Sequence, residues 1–109
     1  MTRNELGSII SSFGLPAAYH DFKNATDKVA PYVTYYYENS DDLFADNRNY
    51  SHLEEVAIEL YVNEKTPSLE DMIGETLNNN GLAYSKYETY MEDEKMLCIT
   101  FYTEVLING

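Results

Sequence analysis

Residues 31–38 read Pro-Tyr-Val-Thr-Tyr-Tyr-Tyr-Glu and residues 55–62 read Glu-Val-Ala-Ile-Glu-Leu-Tyr-Val. Strand side chains alternate between the two faces of a sheet, so the first stretch sets Val33, Tyr35 and Tyr37 on one face and Tyr32, Thr34 and Tyr36 on the other. The second lies in a strand expected from Tyr50 to Asn63, with Val56, Ile58, Leu60 and Val62 inward and Glu55, Ala57, Glu59 and Tyr61 opposite. The inward row is core. The outward row carries Tyr32, Tyr36 and Tyr61 where a wet strand would carry Lys, Glu or Ser, and such aromatics are enriched where another surface covers them. Each ring taken singly also suits the rim of a small sheet.

Helices are expected on either side of these strands. Thr2 and Glu5 have the spacing of a capping box, and Leu6, Ile9, Ile10 and Phe13 follow at helical intervals until Gly14-Leu15-Pro16 stops the helix. A short strand is expected over Ala18–Phe22 and a polar turn from Lys23 to Lys28. Thr66-Pro67 opens a second helix, with Thr66 as cap, a stripe of Leu69, Met72, Ile73, Thr76 and Leu77, and a stop at Asn78–Gly81. Strands over Leu82–Met91 and Lys95–Ile107, joined by Glu92-Asp93-Glu94, read as a hairpin with Leu97, Ile99, Phe101, Val105 and Ile107 on one face. The order predicts an α+β fold, an antiparallel or mixed β-sheet with two helices packed on one face. The opposite face is left half covered.

With 109 residues and no repeat or Pro/Gly linker, residues 1–109 form one expected domain with one core. Lys plus Arg number 7 against 19 Asp plus Glu, a formal charge of −12. That balance disfavours duplex nucleic acid and anionic membrane surfaces, both of which need clustered cations. The lone Cys98 permits no internal disulfide and reads as a small buried strand residue. The amino terminus carries no apolar signal core and no run is long enough to span a bilayer, so the expected place of synthesis is the cytoplasm.

Candidate chemistry is sparse. His20-Asp21 could form a base with an orienting carboxylate, and His52 with Asp46 could contribute to a metal site, but neither pair has the spacing of a zinc centre. Asp41, Asp42 and Asp46 lack the alternating oxygens and central glycine of a calcium loop. Glu54 and Glu55 point to opposite faces and cannot converge as paired acids, and no glycine-rich phosphate loop exists. The expectation is a noncatalytic protein without cofactor or metal. Residues 39–49, Asn-Ser-Asp-Asp-Leu-Phe-Ala-Asp-Asn-Arg-Asn, read as a polar loop, mobile in the free chain: either an ordinary surface loop, or one whose Leu43 and Phe44 dock on a partner while Arg48 pairs an acidic group. With Tyr32, Tyr36 and Tyr61 these complete the expected interface residues.

Several short pieces, Val29–Tyr35, Leu43–Asn47, Ile58–Tyr61 and Tyr87–Glu92, together resemble the tail-completion and head-tail joining proteins of long-tailed phages and prophages, those that terminate the tail tube. The resemblance implies a structural virion protein, made in the host cytoplasm, that caps the tube as a hexameric ring. Its implied partners are other copies of itself, the tube protein and the head-completion or connector protein, with DNA passing through the ring. Acidic side chains lining such a passage would repel phosphate and let DNA slide. They would also repel one another between subunits, which predicts ring formation promoted by salt or by the tube end. Head-completion adaptor and acidic DNA-mimic inhibitor are the alternative readings.

Overall fold

The computed structural model describes the backbone of residues 1–45 and 48–107 and the side chains of residues 1–38 and 53–107. Helix α1 spans Arg3–Ser11, and its start is the capping box: the Glu5 amide donates to Thr2 Oγ1 at 3.1 Å and the Thr2 amide donates to Glu5 Oε1 at 3.2 Å. Two of the orphan amides at the helix start are thus satisfied reciprocally. Gly14, at φ +75°, turns the chain out of the helix. Strand β1 is Ala17–Tyr19, shorter and earlier than the sequence suggests, and it pairs in parallel with Val33–Tyr35 of strand β2 (Tyr32–Ala45). Between them, Ala25–Asp27 makes one turn of 3₁₀ helix.

Strand β3 (Arg48–Val62) pairs antiparallel with β2, and strand β5 (Met96–Ile107) lies between β3 and strand β4 (Tyr84–Met91). The sheet is mixed, five-stranded and ordered β1-β2-β3-β5-β4. Helix α2 (Pro67–Asn79) links β3 to β4. Thr66 precedes it but does not cap it with its side chain, and its hydroxyl donates instead to the Glu64 carbonyl at 2.9 Å. At the other end Gly81 (φ +77°) lets the Leu82 amide reach back to the Leu77 carbonyl at 2.9 Å and the Gly81 amide to that of Asn78 at 3.0 Å, a Schellman stop.

Both helices pack on one sheet face. Leu6 and Ile10 of α1 and Ile73 and Leu77 of α2 join Val33, Ile58, Leu60, Ile99 and Phe101 in a single core. Gly74 is where α2 comes close to the sheet: a Cβ there would stand 2.1 Å from the Tyr84 hydroxyl oxygen. The largest departure from the sequence reading is residues 39–49. Asn39–Ala45 continue β2 and pair with Arg48–Glu55, forming the distal arm of a long hairpin with register shifts after Tyr37 and Leu43. A polar composition does not prevent pairing, because the ladder joins backbone groups and each shift absorbs one unpaired residue. The backbone of Leu43, Phe44 and Arg48 belongs to this arm, while their side chains lie outside the described residues, as do Asp46 and the His52 side chain.

Candidate interaction surface on the open sheet face

The face turned away from the helices is built by register. Tyr32, Tyr61 and Cys98 form one row, Thr34, Glu59 and Thr100 the next, Tyr36, Ala57 and Tyr102 a third, and Glu55 and Glu104 a fourth. Ala57 is fully buried although no helix covers this side, so its taller neighbours shield it.

One end of the face is closed by the chain itself. Tyr32 stacks on Tyr61 with ring centroids 4.8 Å apart, meets Phe22 edge-on at 5.5 Å, and lies 5.6 Å from the Lys28 ammonium. Tyr32 retains 3% of its exposure, so within one chain its contact area is already used. Tyr36 is half-buried and stacks on His20 at 5.3 Å, and Tyr61 is half-buried beside Tyr32. His20 and Asp21 are exposed, and the Asp21 carboxylate pairs with Lys28 at 3.3 Å.

The middle of the face is open. Glu38, Glu55, Ser85, Tyr87 and Tyr102 line a shallow depression of about 790 Å³. Tyr87, 61% exposed, meets Tyr102 edge-on with centroids 5.5 Å apart and planes at 72°. Two ring surfaces are thus presented at a steep angle, with carboxylates beside them. Sequence reasoning centred on residues 31–62 missed this cluster, because Ser85, Tyr87 and Tyr102 arrive from the last hairpin. Registering β5 against β3 in the sequence would have placed Tyr102 beside Ala57.

Electrostatically the face is acidic. Glu59 accepts from the Thr34 hydroxyl at 3.3 Å and faces the Cys98 thiol at 3.9 Å. Burial raises the Tyr36 hydroxyl pKa, and the negative field of Glu59 and Glu38 adds to it. Tyr102 is raised by burial and then by Glu38 and Glu59, and Tyr61 is pushed up by burial with Cys98 and Glu59 adding to it. Burial also raises the Cys98 thiol above its ordinary value, which keeps it protonated and a poor nucleophile at neutral pH. All these groups stay uncharged near neutrality. Among the described residues no group of three or more His, Cys, Asp or Glu side chains is placed to hold a metal ion. The paired acids Glu54 and Glu55 diverge as expected: Glu54 turns to the helix side, where Arg3 holds it at 3.1 Å, and Glu55 lines the depression.

Neither a known protein family nor a curated protein sequence matches this chain. A solved structure does share the fold: a chain of the virion of a native gene transfer agent particle, 12% identical, superposes with a TM-score of 0.63 over 93% of this chain and 84% of that one. At that identity the likeness is one of fold.

Proposed function

We propose that this chain is a structural virion protein that caps a tail tube as a ring and offers the surface joining tail to head, with DNA passing through an acidic lumen. The observation that carries this reading is the near full-length fold likeness to a chain of a gene transfer agent virion. It agrees with the resemblance of the sequence to tail-completion proteins. The reading assigns the molecule no reaction: its work is contact.

The sheet edges give copies a means of meeting. Strand β4 is outermost on one side, and on the other β1 covers only Val33–Tyr35 of β2; beyond Tyr35 the outer edge of β2 has no strand partner among the described residues, although the Tyr37 amide donates to the Tyr19 hydroxyl at 3.3 Å. Unpaired edges template strand addition, and two unlike edges suit the head-to-tail contact that closes a ring. Exposed acidic residues such as Asp71 and Glu75 on the outer side of α2 are available to a lumen or rim.

Electron microscopy of tails assembled with and without the protein tests the reading. Tubes of unregulated length in its absence support termination. Normal free tails that fail to join heads move the role to the head-completion adaptor, the alternative within the same neck. Normal particles in its absence overturn the virion role.

A further inference from the structure

The open sheet face concentrates negative charge that no described ion pair neutralises. Glu38, Glu55 and Glu59 lie around Tyr36, Ala57 and Tyr102, and none of the three takes part in an ion pair among the described residues. The described pairs lie elsewhere: Arg3 with Glu54, Lys28 with Asp21, Lys65 and Lys86 with Glu70, and Lys65 with Glu88. Like charges gathered on one face repel, and the half-buried Glu55 and Glu59 are screened less than the exposed Glu38.

The same ground carries aromatic ring faces, whose negative quadrupole attracts guanidinium and ammonium groups. Rings and carboxylates therefore ask for one ligand chemistry, a cation with a flat or apolar flank. The depression is open and shallow, shaped for an extended segment rather than an enclosed small molecule. A net charge of −12 sets the whole chain against polyanions and against face-to-face contact with its own copy.

We infer that this face docks an arginine- or lysine-bearing segment of a different protein, its cationic side chains seated against Tyr102 and Tyr87 and paired with Glu38 and Glu55. The inference rests on the face alone and stands or falls independently of the virion reading.

The test is an NMR titration of the protein with a hexa-arginine peptide at physiological salt, alongside the Glu38→Gln/Glu55→Gln variant and a Glu64→Gln/Glu75→Gln variant that removes the same charge elsewhere. The expected result is saturable binding with shifts confined to Glu38, Glu55, Ala57, Ser85, Tyr87 and Tyr102. The first variant should weaken binding about tenfold, the order of a lost charge-assisted contact, while its thermal midpoint stays level or rises as repulsion is relieved. The second variant should bind as the parent does. Tyr102→Ala should weaken binding with the carboxylates intact. Shifts spread over the exposed acids of α2, equal loss in both charge variants, or unchanged binding in the first would overturn the assignment.

Discussion

Glu70 and Glu59 stand on opposite sides of one sheet and are treated in opposite ways. Glu70, on the helix side, is 2% exposed and is held by two lysines, Lys65 at 2.7 Å and Lys86 at 3.1 Å. Its Oε2 atom takes no well-angled hydrogen bond but lies 2.7 Å from the Lys65 ammonium, which supplies the compensating charge. Glu59, on the open side, has a hydroxyl and a thiol beside it and no described cation. The helix side is completed by the chain itself, as a buried charge requires. Among the described residues the open side is incomplete in charge and in coverage, which suits a surface finished by something else.

The sharpest contrast is between neighbours on β5. Phe101→Ala, which empties a fully buried site, should cost about 3–5 kcal/mol in urea unfolding. Tyr102→Ala, one residue on but facing the open side, should cost about 1 kcal/mol or less, and an equal loss for both would erase the distinction between the faces.

A second test concerns the close approach of α2. Gly74→Ala sets a methyl against the Tyr84 ring, whose Cζ would lie 2.8 Å from it, and should destabilise by about 1–3 kcal/mol. The double variant with Tyr84→Ala should be less unstable than the two single losses combined, because the second removes what the first collides with. Strict additivity in a double-mutant cycle would mean that the contact is not the cause.

The Glu70 cluster gives a smaller effect that depends on pH. Burial alone would raise the Glu70 pKa, but hydrogen bonds from Lys65 and Lys86 outweigh it and hold the carboxyl below its ordinary 4.5. A depressed carboxyl stabilises the fold fully above its unfolded value and loses that contribution as pH falls through the folded one. Glu70→Gln should therefore cost about 1–2 kcal/mol near neutral pH, reduced because both lysines are nearly half exposed and can turn to water, and its penalty should shrink as pH drops below about 4.5. A penalty that is constant from neutral pH to acid would remove the carboxylate from the account. The smallest effect is expected on the open face, where Glu59→Gln should shift stability by about 0.5 kcal/mol or less in thermal unfolding, with either sign consistent with relieved repulsion offset by a weakened Thr34 bond.

Much of the fold was legible because its signals are local. The alternation of residues 55–62, the capping box at Thr2 and Glu5 and the glycine stop at Gly81 each act within a few residues, and the structure uses all three. Residues 39–49 were illegible for the opposite reason: pairing there is a backbone property, and polar side chains conceal it. The burial of Glu70 was hidden too, since its lysines come from the loop before α2 and from β4. The tyrosine strip was legible as a face, but which rings remain free depends on the segment carrying Phe22 and Lys28, which folds back over Tyr32. No local pattern announces such a return.

Assembly on a tail tube is the proposal on which the functional reading rests. Sedimentation of the purified protein mixed with tail tubes, over a range of salt in which the fold stays intact, tests it most directly. The account predicts that the protein sediments with the tubes, located at one end by labelling, and that its ring is favoured as salt screens its acidic charge. A chain that stays monomeric and unbound beside tubes at every salt concentration would contradict it.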